Sequence, residues 1–141
     1  LKETISRMAS DEEAGMTIVD DKDECRQRCC AGKRYFCSVE LALQVVGGKW
    51  KPIILWHLSS CERKRFGELR RMMPNVTQKM LTQQLRELEA DGMISRRVFP
   101  EVPPRVEYSL TELGRSVMPV LDQLSAWGQL FERENTLRAA G

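Results

Sequence analysis

A mainly α-helical domain carrying one small β-hairpin is predicted for this 141-residue chain by three observations. Between residues 38 and 92 apolar side chains recur at helical spacing. From Met93 to Leu110 the pattern changes to strand-like alternation around the proline-stiffened loop "PEVPP". After Thr111 a four-three apolar rhythm begins and runs to Phe131. The length suits one domain with a real core. No apolar run approaches the roughly 20 residues of a membrane helix, and no signal-peptide pattern opens the chain, so a cytoplasmic protein without membrane contact is expected.

Residues 1–36 read as an arm apart from this domain. They carry 7 basic and 8 acidic side chains, a sum of −1, with "SDEEAGMTIVDDKDE" acidic and "CRQRCCAGKRY" basic and thiol-rich. A mobile or weakly helical segment ending near Tyr35 is expected. The domain proper spans 37–134, with 135–141 as a tail. Its first helix places Val39, Ala42, Leu43 and Val46 on one face and stops at Gly47-Gly48. Pro52 suits the first turn of a second helix that faces Ile54, Leu55 and Leu58 inward. "RFGELRRMMP" gives a third helix, ended by Pro74. Thr77 is a fitting N-cap for the fourth, which Gly92 ends. "MISRRVF" and "RVEYSL" form the hairpin. Thr111 caps a final helix that Gly114 and Pro119 should kink or split near Arg115 to Pro119.

Helix, helix, helix, helix, hairpin, helix is the order of a winged helix-turn-helix. On a wheel of about 100° per residue, Leu81, Leu85 and Leu88 make the buried stripe of the fourth helix. Lys79, Thr82, Gln83 and Arg86 fall opposite, with Gln78 near the N-terminal edge and Thr77 at the cap. The short "PNV" connection makes the third and fourth helices a helix-turn-helix pair. The second helix of such a pair enters the major groove of double-stranded DNA. Glutamine can pair with adenine there, and arginine or lysine with guanine. Arg96, Arg97 and Arg105 of the hairpin would hold phosphate or enter a minor groove. A bland reading stands beside this one: any amphipathic surface helix shows such residues to water. The charge distribution favours a polyanion, with 10 basic against 5 acidic side chains from Arg63 to Arg105. Leu113, Val117, Val120, Leu124, Trp127 and Phe131, at spacings of 4, 3, 4, 3 and 4, form the seam of a helix packed on another helix. That seam is more apolar surface than one small domain can cover, so dimerisation through the terminal helices is expected.

The stretch from Cys37 to about Trp127 resembles the HxlR family of bacterial transcription regulators, winged-helix proteins related to the MarR type. The motifs that carry the likeness are the cysteine ahead of the first helix, "GGKW", "RFGELRR", "LTQQLRELEADG" and "VPPRVEYSLTELG". The resemblance implies a homodimer that binds operator DNA. It says little about the arm before Cys37.

Cys25, Cys29, Cys30, Cys37 and Cys61 are an odd set without a secreted framework, read as reduced cytosolic thiols. Cys37 precedes a helix whose dipole favours a thiolate, with Lys33 and Arg34 nearby in sequence. In several HxlR-type proteins the matching cysteine senses electrophiles or oxidants, which implies a small reactive inducer here. The alternative is a half-buried structural thiol at a dimer interface. "CRQRCC" lacks the paired C-x-x-C spacing and a nearby histidine, so no metal is expected. Those thiols and Cys61 are candidate disulfide partners for Cys37. "GGK" at Gly47–Lys49 is not a phosphate loop, since Trp50 stands where a hydroxyl residue is needed. With His57 as the only histidine there is little acid–base equipment. A regulator without cofactor is therefore expected rather than an enzyme. A peroxide- or quinone-consuming thiol catalyst and a protein-binding winged helix are the two alternatives.

Overall fold

The computed structural model describes residues 26–141. The acidic stretch and Cys25 lie outside the described residues. The chain divides into two compact units, residues 1–41 and 42–141.

The described part of the first unit corrects one expectation. Residues 28–35 form an antiparallel hairpin, β1 (Arg28–Cys30) with β2 (Lys33–Tyr35), and not a mobile or helical arm. Ala31 and Gly32 both take positive φ, 50° and 77°, the conformation of a two-residue hairpin turn whose twist matches that of the strands. Helix α1 (Ser38–Val46) follows. Its first-turn Glu40 accepts a hydrogen bond from the Phe36 N–H at 2.8 Å, so the positive end of α1 already holds a carboxylate. The helix is where the sequence puts it, but of its apolar face only Val46 packs against the core. Val39 and Leu43 are 68% and 62% exposed.

In the second unit, Val45 and Val46 at the end of α1 join the core. Gly47 ends the helix, its N–H donating to the Leu43 carbonyl at 2.8 Å. Helix α2 (Trp50–Ser59) has Pro52 in its first turn, where a missing N–H costs nothing. It buries Ile54, Leu55 and Leu58 completely or nearly so. Strand β3 (Lys64–Arg65) leads into α3 (Phe66–Met72), where Glu68 accepts from the Arg65 N–H at 3.2 Å. Met73 and Val76 plug the turn after α3. Helix α4 (Gln78–Ala90) opens with the Thr77 hydroxyl oxygen accepting from the Met80 N–H at 3.1 Å. It closes with a paired C-terminal cap. The Met93 N–H reaches the Leu88 carbonyl and the Gly92 N–H that of Glu89, at 2.9 and 3.0 Å. Gly92 sits at φ 75°, a conformation that side chains disfavour.

Strands β4 (Ile94–Phe99) and β5 (Arg105–Leu110) pair antiparallel, with β3 on the far edge of β5, order β3-β5-β4. Thr111 caps the short α5 (Glu112–Ser116), its Oγ1 accepting from the Gly114 N–H at 3.0 Å. The same hydroxyl donates to the Gly92 carbonyl at 2.6 Å, with the Met93 carbonyl at 3.1 Å as its alternative acceptor. The expected split falls at Val117, after which α6 (Met118–Ala140) runs 23 residues. It passes residue 134, so most of the expected tail is helix. Leu121 is the residue of α6 that is buried, and Val117 packs against the core. The other seam positions stand open: Leu113 56%, Val120 59%, Leu124 54%, Trp127 60% and Phe131 56% exposed. Pro52, Ile53 and Trp56 of α2 and Leu121, Leu124 and Ser125 of α6 line an apolar cleft of about 260 Å³. Among the described residues, no helix is long and apolar enough to cross a membrane.

Candidate nucleic-acid interface

Helix α4 is held from behind. Leu81, Leu85 and Leu88 are exposed by no more than 2%, and full burial of such a side chain contributes about 1.5–3 kcal/mol. Lys51 of α2, itself only 9% exposed, lies 3.9 Å from the Glu87 carboxylate. The outward face carries Gln78, Lys79, Gln83 and Arg86, all exposed, with Met80 beside them. The two threonines of the predicted set make local hydrogen bonds. Thr77 Oγ1 caps the helix, and Thr82 is half-buried with its hydroxyl donating to the Gln78 carbonyl at 2.8 Å. Such local hydroxyl bonds shape the backbone first.

The sequence pattern does not single out Arg70. Its guanidinium lies 3.5 Å from Gln78 Oε1, which places a cation from α3 at the entry of α4. The signal for it is the basic last turn of α3, Arg70 and Arg71, adjacent to the turn of the helix pair.

The hairpin separates the three wing arginines that the sequence treats alike. Arg96 pairs with Tyr108 in register and lines a cleft of about 260 Å³ with Thr82, Leu85, Arg86, Glu89 and Tyr108. It shares a surface with α4. Arg97, one residue on, points to the other face of the sheet, its guanidinium 4.8 Å from the centre of the Phe99 ring. Arg105 is engaged on that face. It stacks on Phe99 at 4.0 Å and pairs with Glu101 and Glu107 at 3.5 and 3.4 Å. Glu107 also meets Arg63 at 3.7 Å. Two carboxylates and a ring therefore already hold Arg105, and a phosphate would have to compete with them.

Cys37 is exposed and precedes α1; Cys29 and Cys30 are exposed on the hairpin. Cys61 is half-buried, and its thiol donates to the Arg63 carbonyl at 3.2 Å. None of these four is disulfide-bonded. Among the described residues no group of three or more His, Cys, Asp or Glu is placed to hold a metal ion. His57 is half-buried, and burial first, then the nearby Lys64 charge, lowers its pKa below the ordinary 6.5.

The chain is 62% identical over 96 residues to the uncharacterized HTH-type transcriptional regulator YtcD of Bacillus subtilis. The match covers 68% of this chain and 75% of that protein. In structure it is similar to the redox regulator HypR. The oxidized form gives 55% identity and a TM-score of 0.63 over 66% of this chain and 95% of that one. The reduced form gives 50% and 0.65 over 72% and 97%. A transcriptional regulator assigned to the MarR family from Porphyromonas gingivalis W83 is 40% identical, with a TM-score of 0.62 over 66% and 90%. These likenesses fit the winged arrangement of α3, α4, β4 and β5. A model of the HxlR-like helix-turn-helix family matches residues 45–136, and the chain belongs to the HxlR family of helix-turn-helix transcription regulators.

Proposed function

We propose that α4 reads the bases of an operator in the major groove, in a cytoplasmic homodimer that sets two such helices about 34 Å apart. The observation that carries this reading is the exposed row of Gln78, Lys79, Gln83 and Arg86, backed by three buried leucines. Arg96, on the same surface, supplies a phosphate or groove contact from the wing. The exposed apolar row of Val120, Leu124, Trp127 and Phe131 on α6 supports the homodimer. Selection of binding sites from fragmented genomic DNA, followed by titration at several salt concentrations, tests the reading. Recovery of a recurring sequence whose affinity falls steeply with salt is expected. A protein that binds no duplex would instead be a protein-binding winged helix.

Cys37 is proposed as a redox sensor. Its exposure at the start of α1 supports this, as does the likeness to HypR, a redox regulator solved in oxidized and reduced forms. An oxidant such as hypochlorite would convert the thiolate to a sulfenic acid, which condenses with a second thiol to a disulfide and releases water. Cys37→Ser should bind DNA as the parent does and ignore diamide, quinones and hypochlorite. Release of the DNA by oxidized Cys37→Ser protein would transfer the role to another thiol. A sensor reacts once and stops, so sustained consumption of oxidant by the purified protein would favour a thiol enzyme.

A further inference from the structure

On helix α2, the positions three, four and seven after residue 51 are Ile54, Leu55 and Leu58, exposed by no more than 1%. Helical spacing puts residue 51 on that same apolar face. Yet it is a lysine, 9% exposed and the one charged member of the buried set among the described residues. An ammonium so placed costs free energy unless an opposite charge meets it. The partner comes from the neighbouring helix. Lys51 Nζ lies 3.9 Å from Oε2 of Glu87 on α4, and Gln84 Nε2 donates to that same oxygen at 3.1 Å. An apolar side chain of that length would fill the place without the cost of a charge, so stability does not account for the lysine.

With Leu81 at zero on a wheel of about 100° per residue, Glu87 falls about 120° to one side and Gln78 about 60° to the other. The two positions are opposite one another across the helix. Gln78 Oε1 meets Arg70 of α3 at 3.5 Å, so cations from two neighbouring helices hold α4 on opposite flanks. Lys79, Gln83 and Arg86 project between them on the outer side. Leu81, Leu85 and Leu88 keep the helix down, but apolar burial has no direction and resists a small roll weakly. A roll of about 20° carries a side-chain tip about 5 Å from the axis through about 2 Å. That exceeds the roughly 0.5 Å range of N–H···O lengths. We infer that Lys51 is a positioning residue for base reading: paired with Glu87, it sets the rotation of α4 about its own axis. It touches no base itself and decides which side chains meet them. The inference rests on the DNA reading of α4 proposed above.

The test uses the full chain, reduced, on its selected operator and on a scrambled duplex of equal length. Lys51→Met keeps the length of the side chain and removes its charge. Operator affinity should fall roughly 2- to 30-fold, the range for residues that act on a site without touching its ligand. Affinity for the scrambled duplex and the salt slope should stay at the parent values, and the urea midpoint should be the parent's or higher. Glu87→Gln, on the half-buried side of the pair, should lose discrimination to the same extent, and it carries the test if Lys51→Met does not fold. Lys51→Glu with Glu87→Lys, which reverses the pair, should recover discrimination that Lys51→Glu alone loses. Equal weakening on both duplexes with a lowered midpoint would make Lys51 a support of the fold alone. A slope flatter by about 0.9 would make it a phosphate contact, and either result overturns the inference. If Lys51→Met and Glu87→Gln discriminate as the parent does while Gln83→Ala does not, the pair does not position α4 and the reading of α4 stands. If the parent binds no duplex at all, the α4 reading fails and this one with it.

Discussion

Gln83→Ala and Arg86→Ala separate folding from reading, because the structure lets both costs be worked out. Gln83 and Arg86 are exposed, and neither makes a hydrogen bond or ion pair among the described residues. Their neighbours Leu81 and Leu85 fill the core without them. Truncation leaves no cavity and no orphaned partner, and alanine is the better helix former by a few tenths of a kcal/mol. Urea unfolding should therefore agree with the parent within about 0.5 kcal/mol. On DNA, removing a bidentate base contact costs about 1–3 kcal/mol, roughly 5- to 150-fold in affinity. A homodimer carries each substitution twice, so about 2–6 kcal/mol is expected on a symmetric operator. The two residues lie three apart on one helix face, so their effects should fall short of additive. Fluorescence anisotropy on operator and scrambled duplexes at fixed salt measures both the weakening and its specificity. Equal weakening on the two duplexes would refute base reading. A clear drop in unfolding free energy would mean that these side chains support the fold.

Leu124→Glu with Phe131→Glu should give a monomer by sedimentation, or misfolded protein if the dimer is obligate, with a half-site footprint or none; an undisturbed dimer would place the interface elsewhere. In Gly114→Ala the new methyl would overlap the Met93 carbonyl oxygen, a backbone atom that cannot swing away. A loss of about 1–3 kcal/mol or more is expected in urea unfolding, and a parent-like midpoint would show that α5 can lift off the hairpin. His57 has a folded-state pKa below 6.5, so the unfolded chain binds its proton more readily. Its contribution is complete above about pH 6.5 and is lost as pH falls toward the folded value. Unfolding midpoints from pH 7.5 to 5 should fall in the parent and fall less in His57→Gln; parallel curves would assign the acid sensitivity to other groups.

The parts of this fold that are legible in sequence are those with a local physical cause. Thr77 and Gly92 bracket α4 because a hydroxyl cap and a positive φ are written in single residues. Leu81, Leu85 and Leu88 follow from the helical period alone. Arg105 could not be read in this way. Its engagement depends on a register that sets it against Phe99 and beside Glu107, and register is a pairing between distant segments. The β1–β2 hairpin is hidden for a different reason. Arg-Cys-Cys and Lys-Arg-Tyr have no apolar alternation, and the turn puts alanine at a positive φ where asparagine or glycine would have announced it. In the seam, the four-three rhythm locates the exposed row but not Leu121, the one side chain of α6 that the core buries.

Thr111 has a consequence for motion. Its hydroxyl and amide join the end of α4, the base of β4 and the first turn of α5, and Gly114 lets α5 lie against the Met93 carbonyl without a side chain between. Those three elements are thereby tied together at one residue. At Val117 α5 hands over to α6 through backbone bonds alone: its N–H donates to the Arg115 carbonyl, and its own carbonyl accepts from the Val120 and Leu121 N–H groups. A displacement of α6 would reach the end of α4 through that junction and the Thr111 bonds.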